Sequence, residues 1–265
     1  MSRNPLVSVI INCHNGESYI KKSIKSVLFQ DYKNWEIIFW DNCSTDKSKN
    51  KLKEFKDKRI KYYHSSKFNT LYKSRNLAIK KAKGKYLSFL DVDDIWKKNK
   101  LTKQVRKLEK FKCKFIYTNY FINNRLNKKQ QIRTNKKLPE GFVTQKILND
   151  YVVGINTVMI KKDIFKHYKF NENYNIIGDL DLFMKLSLKY KFLSIQKPLV
   201  IYNIHGKNLS IEKIKFYIRE LTSWIEINEK KIFKKFDLKN LKYFLFKLKL
   251  KKVINNIPFL TNMGV

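Results

Sequence analysis

Asp91-Val92-Asp93-Asp94 follows directly on the apolar run Tyr86-Leu87-Ser88-Phe89-Leu90. A strand of that pattern delivers three carboxylates to its C-terminal end, in a chain with 22 acidic residues against 58 Lys and Arg. Side chains at i and i+2 of an extended segment share a face. Asp91 and Asp93 can therefore converge on one hard cation, and oxygen ligands suit Mg2+ or Mn2+. The competing reading is an acidic N-cap for the helix after Asp94. Asn12 and Asp41 stand at the ends of two other strand-like runs, and Asp179 stands at the start of a helical one. For Asp41 the bland alternative is an Asx-turn with Ser44. For Asp179 it is a helix cap, for His205 a structural hydrogen bond, and for Arg75 a solvated helix face.

The elements that must position these groups alternate. Val7–Ile11, Glu36–Trp40, the weaker Ile60–Tyr63 and Tyr86–Leu90 read as strands. Between them, Ile20, Ile24, Val27 and Leu28 recur at helical spacing, and 70–83 reads as a helix stopped by a Gly84 C-cap. This order predicts a mostly parallel sheet flanked by helices, with ligands at the carboxyl ends of its strands. Further on, Leu101, Val105 and Leu108 continue a helix, and Phe115–Tyr117, Val158–Ile160 and Leu199–Tyr202 read as strands. The polar, basic stretch 123–137 reads as an exposed loop. Phe183, Leu186 and Tyr190 place Asp179 at a helix N-terminus. Between Lys230 and Lys252 stand ten lysines and one acid, Asp237. Leu241, Phe244, Leu245 and Leu248 form a stripe among them, either a basic amphipathic helix for an anionic lipid surface or a terminal helix packed on the domain.

Composition narrows the class. With 265 residues and 43% hydrophobic content, the chain suits one large domain, or a domain with an appendage, and not global disorder. Three cysteines without Cys-x-x-Cys spacing and four scattered histidines argue against a disulfide framework or a zinc site, and make a reducing cytosol the expectation. Met1–Pro5 lacks the apolar stretch of a signal peptide, and no run is long enough to span a membrane. The net charge of +36 attracts polyanions: nucleic acid, nucleotide phosphates or an anionic membrane. Abundant Lys, Asn, Ile and Phe with only 7 Gly also fit an AT-rich genome, which accounts for part of that charge. A basic nucleic-acid-binding protein is the alternative class, with 15 Tyr and 19 Phe available for stacking. Those aromatics lie mostly in periodic apolar segments, and no nucleic-acid motif is present.

Taken in order, the motifs resemble those of family 2 glycosyltransferases of the GT-A fold, of the bacterial surface-glycan type. Val7–Gly16 opens the resemblance, and Ser26-Val27-Leu28-Phe29-Gln30 resembles S-V-L-x-Q. Asp41–Asp46 resembles D-D-G-S-T-D, followed by Arg75-Asn76, Gly84-Lys85-Tyr86 and Leu90–Asp94. Gly178–Leu182 resembles E-D-x-D-L, and Tyr202–Ser210 resembles Y-R-x-H-x-x-N-x-S. The resemblance covers Pro5 to Ser210 apart from the basic loop. It implies a GT-A domain over 1–210 and a basic helical extension over 211–265. It also implies an inverting, metal-dependent transferase that moves a sugar from a nucleotide-sugar, a UDP-sugar above all, to a glycan or lipid-linked glycan. Asn12, Asp41, Arg75 and Asp91 would bind the nucleotide. Asp93 and His205 would hold Mn2+ or Mg2+, and Asp179 would be the general base. The expected site of work is the cytoplasmic face of the plasma membrane, with no specific nucleic acid as partner. Three positions depart from the pattern: Asn42 for an Asp, Gly178 for the Glu before the base, and Thr70 for a Gly.

Overall fold

The computed structural model describes residues 4–255. The first strands are β1 (Val7–Cys13), β2 (Trp35–Asp41), β3 (Ile60–His64) and β4 (Tyr86–Phe89); β1, β2 and β4 are short, mostly apolar buried runs, and β3, at the sheet edge, is only partly buried. Between them lie α1 (Ile20–Leu28), α2 (Ser48–Lys53) and α3 (Leu71–Lys81). The register of β1 on β2, Val7 opposite Trp35 through Cys13 opposite Asp41, is parallel, as are β1–β4 and β2–β3.

The second half adds β5 (Ile95–Trp96), α4 (Lys100–Phe111), β6 (Phe115–Asn124), β7 (Lys129–Ile132), α5 (Thr144–Asn149), β8 (Met159–Lys161), α6 (Gly178–Ser187) and β9 (Phe192–Ile204). One sheet runs β3-β2-β1-β4-β8-β6-β9-β5, with β7 paired to β6. Only β5, β7 and β8 run against the common direction. α7 (Leu209–Glu212), α8 (Ile214–Lys231) and α9 (Lys239–Asn255) close the described chain. Two apolar clusters cover the two faces of the sheet. Ile24, Val27, Leu101 and Leu108 belong to one, and Ala78, Phe183, Trp224 and Leu245 to the other. The result is the mixed α/β architecture expected.

Several local expectations are corrected. α3 ends at Lys81, and Ala82 is already extended. Gly84 is no C-cap: a Cβ there would lie 2.6 Å from the Ser8 amide nitrogen and 2.8 Å from the Leu6 carbonyl, so glycine is needed where the chain passes β1. The stretch 123–137 is not a plain loop, because β6 and β7 form a hairpin across it. β9 starts seven residues before Leu199, at Phe192, and two register shifts against β6 interrupt the pairing that a simple run would have signalled.

At the C-terminus, Leu241 and Leu245 are buried in the core and Leu248 packs against it. Three of the four residues of the stripe read from sequence therefore face the domain, while the fourth, Phe244, is 40% exposed beside Tyr217. Residues 1–3 at the start, and the extension beyond Asn255, lie outside the described residues.

Candidate active site

β2, β1 and β4 are adjacent and parallel, so their C-terminal ends meet on one edge of the sheet. A cavity of about 820 Å3 opens there. Of the seven residues singled out from sequence, it brings together Asn12, Arg75, Asp91, Asp93, Asp179 and His205.

Asp41 is the exception and does not line the cavity. It is buried, and its carboxylate is fully engaged: Oδ1 accepts from the Ser44 amide at 2.9 Å and Oδ2 from the Tyr62 hydroxyl at 2.8 Å. This is the Asx-turn of the bland reading. Its neighbour Asn42 lines the cavity instead, yet its amide is spent holding the Asn69 backbone, at 2.8 and 3.0 Å. The rest of the motif clamps two loops together. Asn15, Gly16 and Glu17 amides donate to Ser44, Ser48 and Asp46 at 2.9–3.0 Å, and the Thr45 and Lys47 amides donate back to Asn15 and Glu17 at 2.8 Å. Cys43 adopts φ 60° at the turn, in the place where the motif has glycine.

The turn after β4 separates its three acids. The Asp94 amide donates to the Asp91 carbonyl at 3.0 Å and tightens the turn. Asp91 accepts from Arg75 Nη2 at 2.6 Å, and Arg75 is 3% exposed. Asp93 Oδ2 lies 2.9 Å from His205 Nε2 and accepts from Asn208 Nδ2 at 3.2 Å. Asp94 is wholly buried and accepts from the Asn203 amide at 2.8 Å and from Asn156. It ties the turn to β9 and caps no helix, since α4 starts only at Lys100. Burial, then the neighbouring Asp91 charge, pushes the Asp93 carboxyl up; burial and both neighbours push Asp94 well above the usual carboxylate range.

These residues suit a divalent cation. An ionised Asp93 beside Asp91 is relieved by positive charge, and His205 offers a ring nitrogen beside it whose other nitrogen, Nδ1, is buried without a partner. Among the described residues no three acid, histidine or cysteine side chains form a metal cage. A site of two protein donors matches an ion that takes phosphate oxygens for the rest of its shell. Asn12, on the cavity wall, likewise keeps a buried Nδ2 without a partner.

Asp179 occupies the first turn of α6. Its Oδ1 accepts from the Leu180 amide at 2.9 Å and lies 3.1 Å from the Tyr72 hydroxyl. Burial raises its carboxyl above the usual range, and the Arg75 charge pulls against that rise. Tyr72, Tyr151, Tyr217 and Asn208 also line the cavity and were given no role from sequence. Asn208 had a visible signal, as the Asn of the last motif; it holds Asp93 and accepts from the His205 amide. Tyr217 comes from α8 and Tyr151 from a loop, where nothing in spacing marks them.

The sheet order and the acid-bearing edge define a GT-A fold. S. aureus TarS (residues 1–349, with UDP) aligns with TM-score 0.62 at 19% identity, over 81% of this chain and 65% of that one. The mannosyltransferase PcManGT from Pyrobaculum calidifontis, with GDP-Man and Mn2+, aligns with TM-score 0.63 at 14% identity, over 85% and 65%. Residues 8–169 match Glycosyl transferase family 2, and the chain belongs to that family. It is 36% identical over 165 residues to the UDP-Glc:alpha-D-GlcNAc-diphosphoundecaprenol beta-1,3-glucosyltransferase WfgD of Escherichia coli, covering 62% of this chain and 64% of that protein. It is 35% identical over 163 residues to the putative teichuronic acid biosynthesis glycosyltransferase TuaG of Bacillus subtilis, covering 60% and 63%. The matched stretch thus spans less than two-thirds of either relative. WfaP of Escherichia coli, which has the same stated activity as WfgD, is 30% identical over 218 residues, 81% of this chain and 84% of that protein.

Proposed function

We propose that the chain is an inverting, metal-dependent glycosyltransferase that moves a sugar from a nucleotide-sugar to a hydroxyl of a glycan or lipid-linked glycan. The observation that carries this reading is one cavity with two chemically distinct acid sets, Asp91 and Asp93 with His205, and Asp179 with Tyr72. Asp93 and His205 would hold Mn2+ or Mg2+, which when bound neutralises the charge of a departing diphosphate. Arg75 fixes Asp91, and Asn12 offers its free amide donor to the nucleotide. Asp179 accepts the acceptor hydroxyl's proton as its oxygen bonds the anomeric carbon and the bond to the diphosphate breaks. A single base without a carboxylate nucleophile supports one in-line displacement, hence inversion.

The donor is a UDP-sugar, the nucleotide named for WfgD and WfaP and present in the TarS structure. The acceptor is met at the cytoplasmic face of the plasma membrane. Among the described residues no helix is long and apolar enough to cross a membrane. Contact of the strongly basic chain with an anionic membrane surface is the mode to test. A set of UDP-sugars assayed for binding and turnover with and without Mn2+ tests the reading: at least one is expected to bind and turn over only with the cation. Absence of binding to any nucleotide-sugar would reject it.

A further inference from the structure

The structure points to the outer face of α9 as a docking surface for an anionic lipid bilayer. With Leu241, Leu245 and Leu248 turned into the core, the opposite side of the helix presents Tyr243, Phe246 and Leu250, exposed by 57%, 54% and 45%. Their spacing, i, i+3, i+7, puts them on one face. Lys239 lies on that same face, with Lys249 and Lys247 on its two flanks. Among the described residues, eight of the thirteen exposed large apolar side chains fall within 211–250, four of them on α9. An exposed aromatic and aliphatic stripe edged by lysines is complementary to negatively charged headgroups over an acyl boundary. Tyr217, on the cavity wall, packs 6.1 Å from Phe244 of α9, so the helix that carries this stripe is also tied to the cavity, to which a lipid-linked acceptor would be delivered. Only this last link, delivery of a lipid-linked acceptor, rests on the function proposed above.

Deletion of the extension cannot test the surface, because Phe233, Leu238, Leu241 and Leu245 belong to the core. The full chain carrying Tyr243→Ser, Phe246→Ser and Leu250→Ser keeps every lysine and every core residue. Co-sedimentation with phosphatidylcholine vesicles, with or without phosphatidylglycerol, is the measurement. The wild type is expected to bind the anionic vesicles, and the triple variant about tenfold less, with nucleotide-sugar binding in solution equal in both. Equal binding by both proteins would show bulk charge alone at work and overturn the surface. A wild type that ignores anionic vesicles, or binds neutral ones as well, overturns it too.

A different observation supports a second inference: we infer that Tyr72 is a positioning residue for Asp179, in place of the missing acid at 178. A Cβ on Gly178 would lie 2.5 Å from the Tyr72 ring, so the ring fills the room that a side chain there would need. The Tyr72 hydroxyl lies 2.6 Å from the Ile176 carbonyl and 3.1 Å from Asp179 Oδ1. It has one hydrogen to give. While Asp179 is ionised, Tyr72 can donate to it. Once Asp179 holds a proton, Asp179 donates to Tyr72 and Tyr72 to the carbonyl. Both states of the base are thus held in place. This rests on the transferase reading. Tyr72→Phe keeps the ring and is expected to lower kcat about tenfold with donor KM unchanged. Unchanged kcat, in a wild type that does transfer sugar, overturns this inference alone; absence of transfer by the wild type counts against the function itself.

Discussion

Asp179 sets the expected pH dependence. A general base works only when ionised, and burial has raised its carboxyl. Transfer should therefore be complete above that raised pKa and fall as pH drops through it. The acid limb of the kcat/KM profile is expected above about 4, the ordinary aspartate value; a limb at or below that value would contradict the assignment. At the turn after β2, Cys43 holds φ 60° without being glycine. Cys43→Gly should stabilise the protein by about 1 kcal/mol, read as a higher urea midpoint. The residue scale was also where sequence reading was weakest in one respect. Types and order located the cavity acids, but not which way each side chain turns. Asp41 and Asp91 look alike as strand-end acids; one faces Tyr62 and Ser44, the other Arg75 and the cavity.

The loops after β1 and β2 act as one unit, and Asp46 is its central clamp. Despite partial burial, hydrogen bonds from Ser48 and from the Glu17 and Ser48 amides hold its carboxyl below the usual range. A depressed carboxyl contributes stability above its unfolded pKa, and that contribution is lost as pH falls through the lower folded value. Asp46→Ala should cost about 1–2 kcal/mol, and the deficit relative to wild type should shrink in acid. A deficit that is constant with pH would argue against the clamp. α8 plays a comparable part for α6. Glu220, buried, accepts from the Asn175, Ile176 and Ile177 amides at 2.7–3.3 Å, just before the turn that presents Asp179. Asp181 Oδ1 accepts from Trp224 Nε1 at 2.9 Å. Strand and helix alternation made the parallel half legible, because β1, β2 and β4 are short, mostly apolar buried runs, while the partly buried β3 gave a weaker signal. β7, Lys-Gln-Gln-Ile, has no such signal and forms by pairing with β6. The tie from α8 to α6 joins residues some forty positions apart, which no local pattern records.

For the whole molecule, a net charge of +36 spread over 265 residues makes attraction to any polyanion expected. Binding that is only electrostatic weakens steeply with salt. Nucleotide-sugar binding through buried donors such as Asn12 Nδ2 should outlast such screening, whereas generic nucleic-acid binding should not. The central claim is that this cavity transfers sugar with Asp179 as its base. It is tested most directly by steady-state transfer from a UDP-sugar with Mn2+, comparing wild type with Asp179→Asn. The account predicts a kcat lower by about a hundred- to ten-thousandfold, with donor binding retained. Undiminished transfer by the Asp179→Asn protein would contradict it.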